Sequence, residues 1–269
     1  VVPNTSEIPW DWENQNWYQD TPVTPPTDHY NDTFFRDIGL EDEVAKCGFS
    51  MDDTVVLLQH TRVVPRKKIE TALDFALALE KRYKKDDKQR CFALLVSGHS
   101  GDEQEEYKKF LWEYYDEMMR NNPDSKIVLI FGEDRILSHR DIIVDKKYYK
   151  FGEVPSIVAQ QAGIGTYFSD IEGYGNNLLE MVSLGLPVVI NKYDIFKRDI
   201  EPLGFDFPSI ENGELNNEVV EQAYMMLTDC RIRNSVVYHN LTLIKEKLDH
   251  RIIAEKLAPL VKHIFTQII

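Results

Sequence analysis

Apolar residues along this chain fall into two recurring patterns. One is a short run in which nearly every position is apolar, at residues 54–60, 92–98, 126–132, 163–168 and 187–191. Runs of this length without polar alternation mark strands buried on both faces. The other pattern has helical spacing. It passes through Ile69, Leu73, Phe75, Ala76, Ala78 and Leu79 and ends in Lys81-Arg82-Tyr83-Lys84-Lys85, cations that suit the negative end of a helix dipole. A long helix is predicted from about residue 105 to 120, where Tyr107, Leu111, Tyr114, Tyr115 and Met118 form a core stripe. Shorter helices are expected at 32–40, 154–161 and 193–203, the last stopping at Gly204, with helical stretches at 216–227 and 231–269. A sixth, short strand is predicted at Phe205-Asp206-Phe207, while the charged, irregular residues 133–152 receive no element.

Strands alternating with helices predict an α/β fold, a doubly wound parallel sheet of Rossmann-like type. Right-handed crossovers place all strand-to-helix turns on one edge of such a sheet. The turns after His60, Gly98 and Ser169 therefore converge, at the edge where these folds bind ligands. This domain is expected to occupy residues 51–269 and to end in helices. Residues 1–50 read instead as an irregular arm, with Trp10, Trp12, Trp17 and Tyr18 among Asp and Asn, followed by Pro22, Pro25 and Pro26. The arm is expected to wrap the core, pinned by its aromatics. The alternative is that these rings line a sugar or partner surface.

Composition removes some functions. With 269 residues, 43% of them apolar, the chain can build a sizeable core. A net charge of −14 disfavours nucleic acid and anionic membranes, which both need a basic face. No apolar run approaches the roughly 20 residues of a membrane span, so no transmembrane segment is expected. Three scattered cysteines, Cys47, Cys91 and Cys230, show neither zinc-ligand spacing nor a disulfide frame, and a reducing, cytoplasmic setting is expected. The chain opens Val1-Val2-Pro3-Asn4, and is read as part of something longer.

The stretch from Ser169 to Glu180 carries most of the candidate chemistry. It holds the turn Gly173-Tyr174-Gly175-Asn176-Asn177 between two carboxylates, Glu172 and Glu180. Glycines let backbone approach a ligand, and the free N–H groups of the following helical turn stabilise negative charge. Arg62 and Lys67 flank Pro65 on the turn after the first strand, a planar fork and a point charge suited to a diphosphate. A carboxylate accepts two hydrogen bonds from a vicinal diol, so Glu172 and Glu180 suit sugar hydroxyls. The rival chemistry is a glycosidase acid/base pair. His60 and His99 each follow a strand, and are read as structural histidines first and ligand contacts second.

Two motifs in this order resemble the retaining glycosyltransferases of family 4, in the GT-B superfamily. Arg62-x4-Lys67 is similar to the family's basic turn. Ser169-x2-Glu172-Gly173-Tyr174-Gly175-x4-Glu180 is similar to its Glu-x7-Glu signature, and Gly185-Leu186-Pro187-Val188-Val189 follows it. The resemblance covers about residues 50–265, and Val2-Pro3-Asn4 is similar to the family's interdomain hinge. It implies the C-terminal, donor-binding half of an enzyme that transfers a sugar from a nucleotide-diphosphate sugar with retention. It implies no metal, and an acceptor-binding N-terminal domain that this chain lacks, so that the chain alone is expected to be inactive. By resemblance Arg62 and Lys67 hold the diphosphate, Glu180 the ribose and Glu172 the donor sugar, with Gly175, Asn176 and Asn177 lying near sugar and phosphate. The chain departs from the pattern at Lys68, where glycine is usual, at Phe168 and Met181, and at Asn191-Lys192-Tyr193-Asp194. The last departure bears on sugar identity. An epimerase or phosphorylase of the same architecture, or a non-catalytic interaction module, are the alternatives.

Overall fold

The computed structural model describes residues 5–98, 105–252, 254, 255 and 257–259. The hinge resemblance at Val2-Pro3-Asn4 and the candidate His99 lie outside these described residues.

Strands β1 (Thr54–Gln59), β2 (Cys91–Val96), β3 (Ile127–Phe131), β7 (Ile164–Tyr167), β8 (Val188–Asn191) and β9 (Ser209–Ile210) form one sheet in the order β3-β2-β1-β7-β8-β9. All five pairings are parallel, with Leu57 opposite Leu94 on one side and Ile164 on the other. Every position of β1, β2, β7 and β8 is buried, which is why their sequences do not alternate.

The pleat splits these side chains between two core layers. Val55, Leu57, Leu94 and Leu129 face a layer with α3 (Ile69–Lys85), α4 (Glu105–Asn121) and α7 (Asn217–Thr228), through Leu73, Leu111 and Ala223. Val56, Leu58, Ala93 and Leu95 face the opposite layer, with α2 (Leu40–Lys46), α5 (Val154–Gln160) and α6 (Asn176–Ser183), through Val44, Val158 and Met181. Burying each such Leu or Val contributes about 1.5–3 kcal/mol against chain entropy.

Three expectations need correction. The sixth strand is Ser209–Ile210, not 205–207. Phe205 and Phe207 instead stack with centroids 5.5 Å apart, and Ile190 donates its N–H to the Pro208 carbonyl, so the chain joins the sheet only at that proline. Residues 133–152, left without an element, contain a small sheet. It is built from β4 (Ile136–Leu137), β5 (Asp141–Ile143) and β6 (Lys146–Lys150), in the order β4-β6-β5. Its hairpin turns through Val144 and Asp145, at φ 48° and 63°, a turn that no glycine announces. The helix expected at 32–40 is two helices, α1 (Phe34–Asp37) and α2, the second running to Lys46 inside the segment read as irregular. Tyr149 of β6 ties the small sheet to α1 through a 2.5 Å hydrogen bond to Asp37.

The arm wraps the core, as expected. Trp12 is buried with Val237 and Leu241 of α8 (Cys230–Leu243). Trp10 Nε1 donates to the Ser183 carbonyl at 3.0 Å, at the C-terminal end of α6. Asn234 of α8 accepts from Val23 N–H at 2.8 Å and donates to the Thr21 carbonyl at 3.0 Å. The arm thus braces α6 from the end opposite the ligand edge. Trp12→Ala is expected to lower unfolding free energy by about 3 kcal/mol in chemical denaturation, the cost of emptying a buried aromatic site.

Candidate functional site

Two turns meet at the carboxyl edge of the sheet. After β1 the chain passes buried His60 and Thr61 to exposed Arg62, then makes one 3-10 turn, Pro65–Lys67. Proline opens this turn with its fixed φ. Lys68 follows in the left-handed region, at φ 50° and ψ 53°, and α3 starts at the next residue. A side chain in that conformation costs about 1–2 kcal/mol, which accounts physically for glycine being usual there. The Lys68 ammonium lies 3.4 Å from Asp170, an exposed pair that offsets little of the strain.

The second turn follows β7 and is joined to the first by Asp170 N–H donating to the Arg66 carbonyl at 3.0 Å. It ends at Gly175, whose φ of 83° is followed directly by α6. Gly175 brings no capping side chain to the helix N-terminus. A Cβ there would also sit 2.3 Å from the Tyr193 hydroxyl. The departures from the family pattern are structural supports. Buried Tyr193 underlies Gly175, and Asn191 Nδ2 donates to the Ser169 carbonyl at 3.2 Å. Phe168 packs edge-on against Phe75 at 5.6 Å. Met181 fits because Gly165 of β7 gives it room, a Cβ there coming within 2.9 Å of its sulfur.

Between the turns is a cavity of about 230 Å³. Arg62, Lys67, Glu172, Gly175, Asn176 and Asn177 all line it, so six of the seven residues singled out from sequence converge. Gly173 and Tyr174 of the same singled-out turn line it too, as do Arg66 and Tyr167, which were missed. Arg66 lay within the same basic turn, beside Lys67. Tyr167 ends β7 and has no sequence signal apart from its place at a strand end.

Electrostatically the cavity holds three cations and one carboxylate. Glu172 accepts from Arg66 Nη1 at 3.1 Å and from the ammonium of Lys67. Lys67 is buried, with its ammonium 5.1 Å from the centroid of the Tyr167 ring. Burial, reinforced by repulsion from Arg66 and Arg62, brings its pKa down to about 8. Arg62 forms no ion pair among the described residues. Such a site is short of negative charge.

Glu180 is placed differently. It lies on the second turn of α6, outside the lining of that cavity, with Oε2 3.3 Å from Nε2 of His60. It retains 35% side-chain exposure, enough to meet a ligand. Gly152 lies against its other oxygen, where a Cβ would come within 2.8 Å. His60 does not reach solvent. The Asn177 side chain is committed, donating to the His60 carbonyl at 2.7 Å. Glu172 lines this cavity and Glu180 does not, so the two carboxylates are not gathered in one pocket as a glycosidase pair would be.

Among the described residues no group of three or more His, Cys, Asp or Glu side chains is arranged to hold a metal ion. Nor is any helix there long and apolar enough to cross a membrane. Backbone strain at the two turns is directly testable. Lys68→Gly is expected to raise stability by about 0.5–1 kcal/mol. Gly175→Ala is expected to lower it by about 2 kcal/mol or more, through both φ and the Tyr193 contact, as read by thermal unfolding.

No family model matches the chain. Two curated relatives do, both mannosylglucosylglycerate synthases. That of Thermotoga maritima is 30% identical over 213 residues, covering 71% of this chain and 45% of the relative. That of Petrotoga mobilis is 30% identical over 176 residues, covering 61% of this chain and 37% of the relative. The chain therefore spans less than half the length of either. Among solved structures, Anabaena HepE in complex with UDP superposes with a TM-score of 0.54 at 16% identity, covering 85% of this chain and 53% of that one. Sucrose-phosphate synthase of Thermosynechococcus elongatus gives 0.54 at 15% identity, covering 84% and 49%. At these identities the likeness is one of fold. With glycosyltransferases as its sequence relatives and this sheet order and backbone, the chain fits a GT-B glycosyltransferase domain.

Proposed function

We propose that this chain binds the donor of a retaining glycosyltransferase, a nucleotide-diphosphate sugar, and that its cavity receives the diphosphate. The observation that carries this reading is the crowding of Arg62, Arg66 and Lys67 around a single carboxylate, beside the N-terminus of α6. A diphosphate entering there supplies the missing negative charge to all three cations. Arg62 and Lys67 then stabilise the charge that grows on the diphosphate as the sugar–oxygen bond breaks, and no metal is required for it. The α6 amides following Gly175 add a helix N-terminus to the same anion. Lys67 and Arg66 exchange part of their contact with Glu172 for phosphate oxygens, which frees Glu172 to accept from donor sugar hydroxyls. Glu180 accepts from the ribose diol, one helical turn away.

The HepE complex makes UDP a natural first probe, and the synthase relatives make a mannosyl donor the first sugar to try. We place the acceptor on another lobe, so that this chain alone binds donor without transferring it. Three free cysteines support a reducing, cytoplasmic setting.

UDP, GDP or ADP is expected to raise the melting temperature, since a ligand of the native state stabilises by mass action. Arg62→Ala and Glu180→Ala should each remove most of the shift. A folded sample that responds to none of the three would overturn the reading. The pH dependence follows from Lys67. Diphosphate binding needs its ammonium, so affinity should hold up to about pH 8 and decline above it. Lys67→Met should bind weakly with no such decline, which titration calorimetry across pH 7 to about 9.5 would read. Without ligand the sign reverses. Folded Lys67 holds its proton less tightly than the unfolded chain does, so this group's contribution to stability rises with pH from about 8 to 10.5.

A further inference from the structure

His60 follows β1 directly with its side chain wholly buried, yet both ring nitrogens and its carbonyl have partners. Nδ1 lies 2.8 Å from the Ser97 hydroxyl, just past β2. Nε2 lies 3.3 Å from Glu180 Oε2. The ring is stacked on Phe151, with centroids 3.9 Å apart and planes at 15°. The His60 carbonyl receives the Asn177 amide at 2.7 Å. One residue thus joins β1, β2, the turn before α5 and the first two turns of α6.

The hydrogen-bond network sets the ring's tautomer. Burial pushes the His60 pKa down, so the imidazole is neutral near pH 7 and has one donor and one acceptor. A carboxylate can only accept, so the proton sits on Nε2 and points at Glu180, and Nδ1 accepts from the Ser97 hydroxyl. The Phe151 ring prevents the imidazole from tilting, and Ser97 prevents it from flipping. Glu180 has no Lys or Arg partner among the described residues, and Gly152, lacking a Cβ, avoids a clash with its second oxygen. One lone pair of the carboxylate is therefore fixed by an uncharged donor, while the exposed remainder is free to accept from hydroxyls.

We propose that His60 is a positioning residue, which holds the Glu180 carboxylate in the orientation that grips the ribose diol of the donor. This rests on the reading of Glu180 as the ribose ligand. A glutamate on an exposed helix face samples several rotamers, and fixing one in advance lowers the entropy lost when ligand binds. A neutral donor does this without neutralising the carboxylate, whereas an Arg or Lys would compete with the ligand's hydroxyls. The arrangement also separates two tasks. Cations meet the diphosphate, and a carboxylate set by histidine meets the sugar of the nucleoside.

The test compares two ligands, the tightest-binding of UDP, GDP and ADP, and inorganic pyrophosphate, which has no ribose. His60→Ala should weaken the nucleotide by about tenfold, the loss expected for a hydrogen bond to a charged group, and leave pyrophosphate unchanged. His60→Gln, whose amide can donate toward Glu180, should recover part of the loss and guards against a folding defect in the alanine variant. His60→Ala combined with Glu180→Ala should bind no more weakly than Glu180→Ala alone. Equal weakening of both ligands would make His60 merely structural, and additive losses would remove the link to Glu180; either overturns the proposal. If Glu180→Ala itself leaves nucleotide affinity intact, the ribose reading fails and His60 falls with it. If Glu180→Ala weakens binding and His60→Ala does not, only the positioning role fails.

Discussion

Repulsion among Arg62, Arg66 and Lys67 is the constraint around which this domain is organised. Three like charges share one cavity with a single carboxylate, and the most central of them is buried. Desolvating an ammonium costs several kcal/mol unless partners restore what water supplied. Glu172 does so for Lys67 and Arg66 in the absence of ligand. The cost that remains is carried by the sheet, whose central strands are buried at every position, and by two turns stitched together at Arg66 and Asp170. A cavity already arranged for an anion loses little by reorganising when one arrives, and preorganisation of this kind is what gives electrostatic sites their leverage.

Rigidity at that edge comes from both ends of α6. Its N-terminus is fixed by Gly175 over Tyr193 and by Asn177 on the His60 carbonyl. Its C-terminal end is held from outside the sheet, where Trp10 donates to Ser183. The aromatic arm therefore acts on the site at a distance, through the helix it braces. A helix of eight residues is about 12 Å long, so a tilt of about 10° pivoting at Ser183 would displace the amides at Asn176 by about 2 Å. The tryptophans of a segment with no regular structure of its own are thereby part of what fixes the direction of this helix.

The sheet and the two turns were legible in sequence because their physics is local. Strands buried on both faces must be apolar throughout, and a strand-to-helix turn must carry glycine or cations at short spacing. The 133–152 segment was not legible for the opposite reason. Its strands are two to five residues long and half exposed, and its turn places Val144 and Asp145 at positive φ without glycine. They are held by distant partners, such as Tyr149 on Asp37 and Tyr30 on the Tyr148 carbonyl, which no window of sequence contains. Within the site, Arg62, Lys67 and the Gly175 turn were visible as motifs, whereas the alignment of His60 on Glu180 is a contact across 120 positions. The opposite pull on φ was visible only as an oddity, a lysine where glycine is usual, until Lys68 proved to be left-handed.

A net charge of −14 contrasts with a cavity that gathers three cations, and the two are reconciled by distance. At physiological ionic strength, charges separated by more than about 8 Å are largely screened. A small anion approaching the edge feels distant carboxylates weakly and the three cations strongly, once within contact range. The local cluster, more than the net charge, therefore governs how this edge meets a small anion. On the reading proposed above, selection then rests on a few phosphate oxygens and one diol, met by groups that Glu172 and His60 hold from behind.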